Sequence, residues 1–358
     1  EIQTPHLDSL AAGGLRFTQF YNTSRCWPTR GALLSGYYPQ QIRRDALPGV
    51  GGKGLGGQGT RQNWAVLLPQ RLKDRGYRSY QSGKWHIDGD VIAAGFDRSH
   101  HIKDQGRFFN PRVLFEDDRP LPPVAKDSGY YSTIAVTERM IDYLKDHSSQ
   151  HAGRPFFAYL AYAAPHFPLQ ALPEDIAKYR DRYLPGWDRL RQERHQRQKQ
   201  LGIQPAALSP LEPEGGPPYD FPESLAQLGA GEINKPIPWE QLTSAQQKFQ
   251  AEKMAIHAAM IDRMDQVLSV NCAQWRSLRK RSFCFCPTTA PAPRSWCVTT
   301  GMIRRRRWVP PPPTCAWAPG FPAPPTPRSA ATKPECMRAA SARPSSPTGR
   351  PGSRKKTA

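Results

Sequence analysis

A single cysteine stands in the first 271 residues: Cys26, at the head of "CWPTRGALLSG". Pro28 suits the first turn of a helix carrying Ala32, Leu33 and Leu34. Cys26 therefore falls at a helix N-terminus, where exposed backbone N–H groups and the dipole favour an anion. Arg30, one turn on, projects on the same side. The pair suits an oxyanion held beside a reactive thiol; taken without context, a lone cysteine is more often a small buried hydrophobe. Lys84 and His86, two apart in "GKWHI", share one face of a strand end while Trp85 points to the other. Together they can bind an anion and donate a proton, or simply be solvated. His166, in "APHFP", lies just past a buried strand, where ligand-binding loops gather at a sheet edge; a structural histidine fits there as well. His100, His101 and His257 read as surface or helix-face residues.

The elements that must position these groups follow from periodicity. Residues 4–22 read as a short helix (Leu7, Leu10, Ala11) stopped by Gly13-Gly14, then an alternating strand through Leu15, Phe17 and Phe20. Residues 49–59, "GVGGKGLGGQG", form a glycine-rich loop without the Gly-Lys-Ser/Thr ending of a phosphate cradle. An amphipathic helix over 63–73 (Trp64, Leu67, Leu68, Leu72) leads through Gly76 into a strand that ends in "SGKWHI". A helix over 131–145 precedes the buried strand of "PFFAYLAYAAPH". Residues 168–241 are loop-rich around a strongly charged helix at 187–200. A long helix over 243–268 presents Met254, Ala258, Ile261, Met264 and Leu268 on one face. This alternation predicts a layered α/β domain.

Charge separates the chain into two parts. The formal net charge is +20 over 358 residues, yet residues 1–270 carry 33 Lys+Arg against 29 Asp+Glu, and 271–358 carry 17 against Glu335 alone. The second part also holds 16 of the 38 prolines and six of the seven cysteines: Cys272, Cys284, Cys286, Cys297, Cys315 and Cys336. It has too little apolar residue to offset chain entropy, which predicts disorder. Its cysteine spacings fit no zinc pattern. No window reaches the roughly 18–20 apolar residues of a membrane span. The chain opens in mid-pattern without Met or a signal peptide, so a preceding segment is expected.

The order and wording of several segments match one family. "CWPTRGALLSG" resembles the signature C-x-P-S/T-R-x-x-L-x-S/T-G of formylglycine-dependent sulfatases, and "GYRSYQSGKWHI" resembles their second signature. "FFAYLAYAAPHFPLQ" is similar to their later histidine segment, and "TPHLDSLAAGGLRF" to the stretch that precedes the first. The resemblance covers residues 1 to about 268 and is nearest the bacterial arylsulfatase branch. It implies an alkaline-phosphatase-like sulfatase fold, here an incomplete mixed sheet flanked by helices, with a partial catalytic domain over 1–269.

It also implies chemistry. Cys26 would be oxidised by a separate maturation enzyme to formylglycine, whose hydrate attacks the sulfur of a sulfate ester and later expels sulfate by re-forming the aldehyde. Arg30 would orient that group, His86 would assist at its hydroxyl, and Lys84 and His166 would bind sulfate oxygens. A calcium ion, bound by Cys26 as formylglycine and by acidic ligands, would polarise the sulfate. Periplasmic or secreted localisation is expected on the same ground.

The acidic ligands are where the pattern breaks. The family's first Asp pair would precede Glu1, and no Asp-Asn-Gly occurs in 270–358. Read as nucleotides, "PTTAPAPRSW" (287–296) can be encoded ccg aca acg gcg cct gcg ccg agg agc tgg, which from the third base gives DNGACAEEL. Residues 332–345 can give KTGMHEGGISTPL in the same shifted frame. Both are similar to family motifs, in order, so residues 270–358 read as a frameshifted, basic, Pro/Arg-rich tail. Under that reading "IRRRRWVPPPPT" has no selected role and no nucleic-acid partner is expected. The chain itself is then expected to be inactive or nearly so. Two other readings remain at this stage: a phosphonate or phosphodiester hydrolase of the same superfamily, and a non-enzymatic anion or nucleic-acid binder acting through the tail.

Overall fold

The computed structural model describes residues 2–17, 20–23, 25–45, 60–203, 205–212, 222–233, 235–275, 282–285 and 298–301. They lie in one compact unit, Glu1–Ile303; a second unit, Arg304–Ala358, is outside the described residues, as is the glycine-rich loop of 49–59.

Helix α1 (Pro5–Gly13) begins with a proline in its first turn and ends at the paired glycines, and strand β1 (Leu15–Arg16) follows. That strand is shorter than the alternation to Phe20 predicts, because Leu15 and Phe17 are both exposed and have no core to face. Helix α2 (Cys26–Ser35) stops at Gly36, whose φ of 77° gives the left-handed cap and whose N–H returns to the Ala32 carbonyl at 2.8 Å. Helix α3 occupies only Leu68–Lys73 of the predicted 63–73. Pro69 lies in its first turn and Leu67 is extended, so the helix starts there and Trp64 is left exposed.

Strands β2 (Arg78–Gly83), β3 (Arg98–Ile102), β4 (Leu114–Glu116) and β5 (Arg119–Leu121) precede helix α4 (Ser132–Gln150) and strand β6 (Phe156–Ala161). They form a mixed five-stranded sheet in the order β5-β4-β3-β2-β6. β2 runs parallel to both β3 and β6, while β4 pairs antiparallel with β3 and β5. Alternation along β6 divides the core. Phe156, Ala158 and Leu160 pack with Tyr80, Met140, Tyr143 and Leu144 on the α4 side. Phe157 and Tyr159 pack with Leu34, Leu67, Trp85 and Phe96 on the α2 side. With helices on both faces, the central parallel strands are buried, which is why β2 reads as nearly continuous burial.

His100 and His101 are placed on β3, not at the surface. His100 is buried, because its strand is the sheet's third from the edge and α4 covers it. Its Nδ1 lies 3.2 Å from Glu116 Oε2.

The loop-rich stretch contains helix α5 (Pro173–Ala177) and helix α7 (Pro222–Leu228) in addition to the expected α6 (Trp187–Gln200). Helix α8 (Ser244–Trp275) is longer than predicted; of its expected face Ala258, Met264 and Leu268 are buried, and further small residues widen it. Ala251, Ala255, Ala258, Ala259 and Met260 are buried, whereas Met254 is exposed. Small side chains let α8 approach α4 and α5 closely, a face that a hydrophobicity count undervalues.

Two carboxylates on α8 are also buried. Asp265 accepts from the His6 and Leu7 N–H groups at 3.0 and 2.8 Å, and Asp262 accepts from the Tyr179 hydroxyl at 3.1 Å. Beyond Val270, strands β7 (Ser282–Phe285) and β8 (Val298–Gly301) pair antiparallel, and β8 pairs with β1. Composition alone predicts no element there; both segments are short runs of aromatic, cysteine or β-branched residues.

Candidate active site

The site lies where the parallel strands β2 and β6 end. β2 must close against the β6 terminus: the Lys84 N–H donates to the Ala161 carbonyl at 2.7 Å. Gly83 permits this, since its φ is 105° and a Cβ there would run into the Ala161 carbonyl oxygen. Alternation then continues for one step. Trp85 drops into the core against Phe96, while Lys84 is buried on the other side. His86 leaves the strand with φ 52°, so the shared face expected of Lys84 and His86 is made by a turn in the chain.

Cys26 is the first residue of α2 and is buried. The approach to it is pinned by Thr23, whose hydroxyl lies 2.6 Å from that of Thr29. Burial pushes the Cys26 thiol up, but hydrogen bonds from His166 and His86 and the charge of Lys84 outweigh it and bring its pKa down to about 4. Burial and Arg30 pull Lys84 down to about 8, with Cys26 opposing them. The Lys84 ammonium makes no hydrogen bond to an oxygen acceptor among the described residues. Three basic side chains thus converge on one sulfur, Lys84 and His86 from the segment after β2 and His166 from the loop after β6.

His166 sits in the loop after β6, with Nδ1 against the Phe167 carbonyl. A carbonyl only accepts, so Nδ1 carries a proton there, and Nε2 donates to the sulfur when the ring is the doubly protonated imidazolium. The His86 ring meets Trp27 edge-on at 5.6 Å, and its carbonyl accepts from Arg44 at 3.2 Å. Arg44 in turn lies 3.5 Å from Asp88.

Arg30 is almost fully buried. Its guanidinium donates to the Lys84 carbonyl at 2.8 Å, the Tyr162 carbonyl at 2.9 Å and the Tyr159 hydroxyl at 3.2 Å. It clamps α2 to the ends of β2 and β6. Tyr159, Tyr162, Arg44 and Trp27 therefore support the site without having been singled out in the sequence. Only Tyr159 and Tyr162 left a signal, as the polar-tipped residues in the apolar run "FFAYLAYAA".

Calcium takes about six to eight oxygen ligands. The groups that shift Cys26 are Lys84, His86 and His166, with no carboxylate among them, and the described residues hold no cluster of three His, Cys, Asp or Glu suited to a metal. This donor set does not fit a calcium ion.

The protein-family model described as Sulfatase matches residues 1–270. The chain belongs to the sulfatase family. An uncharacterised sulfatase of Schizosaccharomyces pombe is 33% identical over 297 residues, covering 74% of this chain and 49% of that protein. An arylsulfatase of Klebsiella aerogenes is 30% identical over 295 residues, covering 74% of this chain and 55% of that protein. The chain thus spans about half the length of these two relatives.

Solved structures share the fold. One, in complex with its substrate D-glucosamine-2-N,6-O-disulfate, has TM-score 0.55 at 16% identity and covers 83% of this chain and 66% of its own. Another, from a glycosaminoglycan-metabolism locus of Bacteroides thetaiotaomicron, has TM-score 0.56 at 15% identity and covers 83% of this chain and 60% of its own. The sulfatase fold of residues 1–270 is thereby the alkaline-phosphatase-like mixed sheet with flanking helices. Among the described residues no helix is long and apolar enough to cross a membrane.

Proposed function

We propose that this chain carries the nucleophile half of a sulfuric ester hydrolase site, of the arylsulfatase kind, built around Cys26. The convergence of Lys84, His86 and His166 on the Cys26 sulfur carries this reading. A cradle that stabilises a thiolate in a buried position also stabilises a sulfate oxyanion, because both present negative charge to the same fixed donors.

Formylglycine at position 26 would supply a hydrated aldehyde as nucleophile, and a buried helix N-terminus beside two histidines suits that polar group. Lys84 and His166 bind the sulfate oxygens, His166 as the imidazolium, whose Nδ1–H is held by the Phe167 carbonyl and whose Nε2–H faces the anion. His86 holds or moves a proton at the position-26 hydroxyl. Arg30 acts through the backbone: by donating to the Lys84 and Tyr162 carbonyls it fixes the strand ends, and it is a positioning residue.

With no carboxylate set for calcium among the described residues, the chain is read as binding sulfate while turning over no ester. Residues 270–358 are read as a product of a shifted frame; the end of the family match at residue 270 supports this. Sequencing the coding DNA tests it, and an uninterrupted frame through codon 270 overturns it. For the site itself, calorimetric titration of the 358-residue chain with inorganic sulfate is expected to show binding that Lys84→Met removes. Sulfate binding that survives Lys84→Met contradicts the site, and measurable turnover of an aryl sulfate contradicts the inactivity.

A further inference from the structure

The charge of the folded part is not spread over it. Residues 178–200 carry eight Lys and Arg against three Asp and Glu, whereas the rest of residues 1–270 carries 25 against 26. This segment comprises α6 and the turn before it, and no residue of α6 is fully buried. Arg180, Arg182, Arg189, Arg194, Arg197 and Lys199 are all exposed.

Some of the charge in the segment is already engaged. Arg189 pairs with Glu193 at 2.7 Å, Lys178 pairs with Asp175 at 2.8 Å, and Arg191 donates to the Ser209 carbonyl at 2.7 Å. Arg180, Arg182, Arg197 and Lys199 have no ion pair among the described residues. A domain that is otherwise neutral thus concentrates solvated arginine on one exposed helix and its lead-in.

We propose that this surface docks a sulfated polysaccharide, with sulfates of successive sugar units against Arg180, Arg182, Arg194, Arg197 and Lys199. The proposal rests on the reading of the Cys26 site as one for sulfate esters. The planar guanidinium fork matches an oxyanion's paired oxygens better than a lysine point charge does, and arginine outnumbers lysine six to two here.

Two other anionic partners fit less well. α6 has no apolar face to lay into a lipid surface, because its only large apolar residues are turned inward: Trp187 meets Trp239 edge-on at 4.8 Å, and Leu190 packs on the core. The same contacts, with the Trp187 Nε1–H donated to Ile237, leave the helix no open aromatic ring for stacking nucleic-acid bases.

Arginine footprinting with phenylglyoxal on the full chain tests the proposal, read peptide by peptide by mass spectrometry. A heparin hexasaccharide is expected to protect Arg180, Arg182, Arg194 and Arg197 severalfold, and its desulfated counterpart to protect none of them. In Arg194→Gln/Arg197→Gln, with unchanged circular dichroism and melting, protection of Arg180 and Arg182 is expected to fall as well. Protection confined to residues 271–358 overturns the proposal. So does equal protection by the desulfated sugar, and stronger protection by single-stranded DNA of matched charge would make the surface a nucleic-acid site instead. The Cys26 reading fails separately, through inorganic sulfate binding that ignores Lys84→Met, and that result would leave the footprint at 180–197 in place.

Discussion

Arg30 and Lys84 are joined through the backbone: the guanidinium of Arg30 donates to the Lys84 carbonyl at 2.8 Å, locking the helix that carries Cys26 to the strand end that carries the lysine. The same side chain reaches the Tyr162 carbonyl, four residues before His166. One buried cation therefore sets the relative position of three elements of the site.

Arg30→Lys is the direct consequence to examine. A lysine keeps the charge but cannot span two carbonyls and a hydroxyl, so buried acceptors are left unsatisfied. Urea denaturation is expected to show a loss of about 2–4 kcal/mol. A variant as stable as the parent would show that the clamp is incidental.

The thiol of Cys26 is held near pKa 4 against the opposing effect of burial. Its alkylation by iodoacetamide is expected to be nearly independent of pH between about 5 and 8, where an ordinary thiol gains close to tenfold per unit. Lys84→Met and His166→Gln should each restore part of that slope. An ordinary slope in the parent protein would contradict the cationic cradle.

Burial, with Lys103 nearby, pulls His101 down to about 4. The unfolded chain then binds a proton near pH 6.5 that the folded chain refuses, so stability is full above that pH and is lost as pH falls towards 4. Between pH 7 and 5 this amounts to about 2 kcal/mol. The urea midpoint should fall over that range, and His101→Gln should flatten the fall. An unchanged profile in the variant would assign the effect to other groups.

Asp265, fully buried on α8, accepts from two N–H groups at the start of α1. Asp265→Asn replaces one acceptor by a donor facing a donor, at a cost of about 1–3 kcal/mol. Hydrogen exchange should quicken over residues 5–13 before it does elsewhere. Uniform quickening would place the anchor elsewhere.

What could be read from the sequence was mainly local. Gly13-Gly14 marks a helix end, the charged run of 187–200 forms a helix with the predicted limits, and "PFFAYLA" forms the expected strand, though it is half-buried rather than buried. Cys26, Lys84, His86 and His166 were legible because their motifs are contiguous. Of their supports only Tyr159 and Tyr162 left a signal, and what they hold was hidden, since they and Arg44 act across long sequence separations through backbone carbonyls or hydroxyls. Short strands β3 to β5 escaped for a similar reason: their order comes from sheet pairing and from the Glu116 network with Arg98, His100 and Tyr143. The face of α8 was legible in part: Ala258, Met264 and Leu268 are buried as expected, Met254 is exposed, and alanines packed against the core supply the rest.

The central claim is that Cys26 is a modification site and not a structural cysteine. Mass spectrometry of the peptide spanning position 26, from protein co-expressed with a formylglycine-generating enzyme, tests it most directly. The account predicts exchange of the sulfur for oxygen with loss of two hydrogens, and an aldehyde that a hydrazide reagent traps. An intact thiol at position 26 in all of the folded protein would contradict it.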